Sequence, residues 1–303
     1  MKLATIAGLL WTFVAAAPAQ DKLSVVSLGS VLTDLAQSVG GARVEVTSLI
    51  KPGQDPHDFE PTPGDVKAVS KARVVLASGL GMESYLDKLE QAAGQGPAFL
   101  VVGEKVKTIA APEEAEEGHE DHDGHDHGHG GGLDPHWWHS VSNTKLAVKA
   151  IRDAFIAADP GDKAVFEQNA NATLAKLDDL AKWVRLEVAK LPANKRVLVT
   201  SHDALGYFAR DYGFEIRPVQ GISTNDQPSS KKVRDIISAI KEEKVKAIFF
   251  ENMENPKVLT EILQETSAKV GGTLYADGLG DKEANTYDSM MRHNVTTIVE
   301  GLQ

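Results

Sequence analysis

The sequence predicts an α/β fold of two similar β-α lobes with parallel sheets, bridged by one long rigid α-helix, with the functional cleft between the lobes. Three observations carry this. Short apolar runs of strand length alternate with amphipathic helical patterns near the start of the chain, and the same alternation returns after residue 190. Between the two series lies a helical pattern of roughly thirty residues, which would span about 45 Å. A helix of that length between two β-α series reads as a strut joining them.

The elements follow in order. Residues 1–19 carry one Lys, an apolar run from Leu3 to Ala17 and the close Ala17-Pro18-Ala19, the pattern of a secretory signal peptide cut before Gln20. The apolar run is too short to span a bilayer comfortably, and no second one follows. Leu23–Gly29 (LSVVSLG) reads as a buried strand. Ser30 can cap a helix with Leu32, Leu35, Ala36 and Val39 on one face and Gly40-Gly41 at its end. Val44–Ile50 is the next strand. In Lys51–Gly64 (KPGQDPHDFEPTPG) prolines and glycines exclude regular structure. A helix from Asp65, strand Val74–Ala77, a helix around Tyr85–Ala92 and strand Phe99–Val102 complete the first lobe's series.

Asn143–Ala157 is amphipathic, and Asp159-Pro160 stops it and opens the long helix to about Lys190, with Phe166, Leu174, Leu177, Leu180, Trp183 and Val184 on its stripe. The second series is strand Arg196–Thr200, a helix through Tyr207 and Phe208 to Tyr212, strand Phe214–Val219 and a helix over Ser229–Glu243. Strand Ala247–Phe250, a helix from Pro256, strand Thr273–Ala276 and a helix from Tyr287 to Leu302 complete it. The expected division is a signal peptide at 1–19, an N-terminal lobe at 20–159 with a disordered loop at 113–132, a linking helix at 160–190 and a C-terminal lobe at 191–303.

Composition narrows the function. The 303 residues include no Cys, so disulfides, thiolate metal sites and a lipid joined through cysteine at the cleavage point are all excluded. The formal charge is −11, and eight acids with no Lys or Arg fall within residues 113–126. Nucleic acid is a poor partner for such a surface, and a cation is a good one.

Seven of the ten histidines lie between His119 and His139. His119, His122, His125, His127 and His129 are spaced by Asp, Glu and Gly with no apolar residue among them, so this half cannot bury a core and is expected to contact metal weakly. The solvated acidic loop that is the bland alternative explains the carboxylates but not the imidazoles. After Gly130-Gly131-Gly132 the segment Leu133-Asp134-Pro135-His136-Trp137-Trp138-His139 is bulky and stiff. Its Asp-Pro-His triplet also occurs at 55–57. His57 lies in a loop after a strand, His202 follows RVLVTS, and Asp277 follows TLYA, all at strand ends where parallel sheets place their ligands. With His136 they make three imidazoles and one carboxylate, two ligands from each lobe, a set that suits four-coordinate Zn²⁺. Singly, each has a plainer reading: a loop His beside Pro, or an Asp capping the turn at Gly278. His139 is either a further ligand or a stacking partner of Trp137 and Trp138, and His293 is structural or exposed.

These stretches resemble a known family. GQDPHDFEPTPGDVKAV (53–69), SGLGMESYLDKL (78–89), DPHWWHS (134–140), SHDALGYFARDYGFE (201–215), IFFEN (248–252), LYADGLG (274–280) and TYDSMMRHNVTTIVEGL (286–302) are similar to the zinc/manganese solute-binding proteins of bacterial ABC transporters, the cluster A-I group. The resemblance covers nearly the whole chain after the signal segment. It implies two α/β lobes joined by the long helix, no enzyme activity, and metal ligands at His57, His136, His202 and Asp277. Many members continue the second motif with Asp-Pro after the aromatic residue, whereas this chain has Trp138-His139-Ser140. In the family a carboxylate at the third ligand position goes with manganese, and His202 and the His-rich loop resemble the zinc branch.

The expectation is therefore Zn²⁺ captured tightly at one periplasmic site and delivered to a membrane permease, with weaker zinc at the loop. The chain would be a monomer, with a periplasmic zinc chaperone as a further partner and no membrane insertion. The alternatives are a manganese-binding member, a secreted zinc hydrolase with Asp277 as base, and an adhesin. The hydrolase lacks HExxH and an open metal position.

Overall fold

The computed structural model describes residues 21–111, 132–224, 226, 228–253 and 257–303. The expected signal segment and His119, His122, His125, His127 and His129 lie outside the described residues.

The first sheet contains β1 (Leu23–Ser27), β2 (Val44–Ser48), β3 (Val74–Ala77) and β4 (Ala98–Val101), in the order β2-β1-β3-β4. The second contains β5 (Val197–Thr200), β6 (Glu215–Pro218), β7 (Ala247–Glu251) and β8 (Lys269–Leu274), in the order β6-β5-β7-β8. Every strand pair is parallel. In both sheets the chain starts on an inner strand, moves to one edge and then crosses to the other side. That reversal opens a crevice at the carboxyl ends of β1 and β3, and of β5 and β7.

Helices cover both faces. In the first lobe they are α1 (Ser30–Gly40), α2 (Pro63–Lys71), α3 (Leu86–Ala93) and α4 (Val141–Ala158). Then come α5 (Lys163–Val188), α6 (Gly206–Tyr212), α7 (Ser230–Glu243), α8 (Lys257–Glu265) and α9 (Tyr287–Leu302). Side chains alternate across each strand. Val25, Val74 and Leu76 face a central core, and Val26, Val75 and Ala77 face a smaller one under α2 and α3. In the second sheet Leu198, Ala247 and Phe249 face the same central core, while Val199 and Ile248 face the layer of α7 and α8. The central core is thus one continuous cluster shared by both lobes, threaded by α1, α4, α5 and α9.

The long helix α5 packs against α1 and α4 on one side and α9 on the other. Its buried stripe is Phe166, Ala170, Leu177, Leu180, Val184 and Val188, spaced at three, four or seven residues as one face of a helix requires. Fully burying one of these large apolar side chains contributes about 1.5–3 kcal/mol. Its 26 residues correspond to about 39 Å. Pro160–Asp162 forms a separate 3₁₀ turn, so the α-helix starts at Lys163, later than the Pro alone suggests.

One strand differs from the sequence reading. The sequence reading placed the last strand at Thr273–Ala276, but β8 runs from Lys269 to Leu274. The pairing shifts between Ile248 and Phe249, opposite the glycines. A Cβ on Gly271 would stand 2.5 Å from the Phe249 ring, and Gly272 has φ +139° with Thr297 equally close at 2.4 Å. The glycines admit a bulge inside the strand. Ala276 and Asp277 consequently lie beyond the strand's end.

Candidate metal centre

The two Asp-Pro-His triplets share a local device. In each, the first residue's carboxylate accepts the N–H of the histidine two positions on: His57 N–H donates to Asp55 Oδ1 at 2.8 Å, and His136 N–H donates to Asp134 Oδ1 at 2.8 Å. This Asx turn, stiffened by the proline, sets the direction of the imidazole. Asp134 goes further, accepting His136 Nδ1–H at 2.9 Å. Asp55 instead uses its second oxygen to accept Thr224 Oγ1–H from the other lobe at 2.8 Å.

His202 leaves the end of β5. Its N–H and that of Ser201 donate to Glu251 Oε1 at 3.2 and 3.0 Å, and its Nδ1–H donates to Glu251 Oε2. Glu251 closes β7. His136 and His202 therefore each donate Nδ1–H to a buried carboxylate, which leaves the Nε2 lone pair free to point into the cleft. Asp277 enters from the loop after β8, next to Leu279, whose N–H donates to Ser30 Oγ at 2.8 Å.

These four residues converge. One ligand atom from each of His57, His136, His202 and Asp277 lies within 4.8 Å of all the others. Asp277 Oδ1 stands 3.5, 3.2 and 3.2 Å from Nε2 of His57, His136 and His202, and the Nε2 atoms of His57 and His136 are 3.3 Å apart. A tetrahedron with bonds of roughly 2.0–2.1 Å has edges of about 3.3 Å. The side chains of His136, His202 and Asp277 are essentially inaccessible, and that of His57 is 8% exposed, so His57 is the ligand nearest water.

Without a metal, protons occupy the site. Burial opposes charge on His136, but hydrogen bonds to Asp134 and Asp277 and their negative charges raise it to about 8. Burial likewise works against charge on His202, and the charges of Asp277 and Glu251 outweigh it and hold the group well above its ordinary value. Burial alone would raise Asp277, yet His202 and the hydrogen bonds from the imidazoles take it well below the usual carboxylate range. A cation centred among these groups takes the place of those protons.

His139 does not join the four. Its Nε2–H donates to the Ala276 carbonyl at 2.8 Å, and its ring packs at a tilt on Trp138, 5.9 Å between centroids. Burial lowers it to about 4, so it stays neutral. His293 is a partner of Tyr275 and of the Thr273 carbonyl, away from the cleft. The sequence reading missed Glu251 as a partner of His202. The acid in IFFEN was visible, but not its aim at a residue 49 positions earlier. Among the described residues, the four form the one group of metal-ligating side chains with this geometry.

The family profile described as ZnuA, zinc-uptake complex component A, periplasmic, matches residues 25–301. The chain belongs to the ZnuA family. ZnuA-family proteins are extracytoplasmic metal-binding subunits of ABC transporters that work with a membrane permease and are not enzymes. The chain is 34% identical to the manganese-binding lipoprotein MntA of Bacillus subtilis over 295 residues, covering 94% of this chain and 91% of that one. It is 32% identical to the zinc-binding protein TroA of Treponema pallidum over 295 residues, with the same shares of 94% and 91%. The solved structure of TroA superposes with a TM-score of 0.83 at 30% identity, covering 93% of this chain and 99% of that one. Two parallel-sheet lobes joined by a long helix are thus the fold of a ZnuA-family protein, and among the described residues no helix is long and apolar enough to cross a membrane.

Proposed function

We propose that this protein captures Zn²⁺ in the periplasm at one tight site, formed by His57, His136, His202 and Asp277, and delivers it to its ABC permease. The observation that carries this is the donor set: three imidazole nitrogens and one carboxylate oxygen within 4.8 Å of one another, almost wholly buried. Borderline Zn²⁺ favours nitrogen donors and four ligands, whereas Mn²⁺ prefers oxygen and a larger coordination number. Nδ1 partners on His136 and His202 make both imidazoles more basic donors, which also favours zinc. The residues at 113–132 act as an accessory, holding further zinc weakly at His119, His122, His125, His127 and His129 and offering a docking point to a periplasmic zinc chaperone. The protein works as a monomer. MntA is named a lipoprotein, but this chain contains no cysteine through which a lipid could be linked.

A manganese role is the second reading, because MntA is named for that metal. Metal content of the chelator-stripped protein after exposure to Zn²⁺ and Mn²⁺ together decides between them. The measurement is repeated with residues 113–132 deleted. One zinc per chain that survives both manganese excess and the deletion is the expected result. Manganese retained in preference, or loss of all tight zinc with the loop, would refute the assignment.

A further inference from the structure

The loop that carries Asp277 is fastened from both lobes. Its own lobe holds it at Tyr275, whose N–H donates to Asn294 Oδ1 at 2.9 Å and whose carbonyl accepts from Asn294 Nδ2 at 2.8 Å. One residue later the first lobe takes over. The Ala276 carbonyl accepts two hydrogen bonds, from Trp138 Nε1–H at 2.9 Å and from His139 Nε2–H at 2.8 Å. The carbonyl of Ala276 and the N–H of Asp277 belong to one rigid peptide plane. Two donors on that carbonyl engage both of its lone pairs and resist rotation of the plane. They thereby set the direction in which the Asp277 side chain leaves the backbone.

The ring of His139 is a costly group to bury at 1% exposure unless its N–H does something there. An aliphatic or phenyl side chain would fill the same space beside Trp138. The donor is what a hydrocarbon could not supply, and it falls on the backbone unit next to the one anionic residue of the four.

We propose that His139 is a positioning residue for metal capture. Together with Trp138 it orients the Ala276–Asp277 peptide across the lobe boundary, so that the first lobe aims the ligand contributed by the second. This rests on reading the four-residue cluster as the metal site. Groups that orient ligands in this way typically change metal affinity 10- to 100-fold when removed.

The test uses the mature full-length protein. His139→Phe keeps a planar ring and removes the donor, and His139→Gln restores an N–H at similar reach. Zn²⁺ affinity is measured by competition with a chromophoric chelator, and ligand geometry is read from the visible absorption of the Co²⁺-loaded protein. His139→Phe should bind Zn²⁺ 10- to 100-fold more weakly and change the intensity of the Co²⁺ bands, and His139→Gln should recover both. If His139→Phe does not fold, Trp138→Phe removes the other donor and reads the same Co²⁺ signal. Wild-type affinity and spectrum in the Phe variant would overturn the proposal, as would equal loss in Phe and Gln, which points to packing. Asp277→Ala runs in parallel: if it keeps tight zinc, the site reading itself fails. If it loses zinc while His139→Phe does not, only the positioning role fails.

Discussion

Replacing Glu251 by Gln tests how the imidazole of His202 is prepared for metal. The carboxylate is 3% exposed and accepts three N–H groups: Ser201 N and His202 N on one oxygen, His202 Nδ1 on the other. In the Gln variant the amide oxygen must stay on the two backbone groups, because turning the NH₂ toward them would strand two buried donors at about 1–3 kcal/mol each. The NH₂ then faces Nδ1, which becomes an acceptor, and the ring proton moves to Nε2. That is the atom a metal needs. Zinc affinity should fall about 10- to 100-fold, or about 1.4–2.7 kcal/mol. The metal-free protein should lose the attraction between Glu251 and protonated His202, while its backbone groups keep their acceptor. Glu251→Ala should instead lose about 2–6 kcal/mol by stranding both backbone donors, a large part of a total of about 5–15 kcal/mol. Chelator-competition titration and thermal unfolding of the metal-free variants separate the two effects. A Gln variant that binds zinc as tightly as wild type would refute the tautomer argument.

Three further outcomes follow from the same geometry. Asp277→Asn removes the anionic ligand and should weaken Zn²⁺ by more than about 100-fold in the same titration, beyond the effect of an orienting group. The rise in melting temperature caused by zinc should grow as pH climbs through about 8. His136 has a folded-state value of about 8 against an ordinary 6.5, so its contribution to the metal-free protein is full below 6.5 and lost as pH passes 8. His202, raised by Asp277 and Glu251, adds in the same direction. Below that window zinc must also expel these protons; thermal scans with and without zinc from pH 6 to 9 measure the difference. Leu180→Ala, at a wholly buried position of α5, should cost about 2–5 kcal/mol in chemical denaturation while leaving the affinity of the folded protein unchanged.

The strand-end logic was legible because parallel sheets put their ligands in one place. His57, His136, His202 and Asp277 were reachable from that rule and from the repeated triplet, and the structure adds why the triplet recurs: Asp55 and Asp134 each hold the backbone of their own histidine. What could not be read is long-range aim. Glu251 meets His202 only through the pairing of β5 with β7, and His139 meets Ala276 across the lobe boundary. Nothing local to WWH distinguishes a ligand from a donor to a carbonyl 137 residues away. The β8 bulge was hidden for a related reason, since Gly271 is demanded by the ring of Phe249 on the neighbouring strand.

The shared interior has a consequence for how the molecule comes apart. Central-core residues of both sheets belong to one cluster, and the single helix α5 packs against α1 and α4 of the first lobe and α9 of the second. Neither half could shed the other without opening an oily seam along the strut, so the chain should denature in one step, with fluorescence of the tryptophans and far-ultraviolet dichroism falling together. Two-lobed in outline, it should unfold as a single cooperative body, and bound metal should steady all of it.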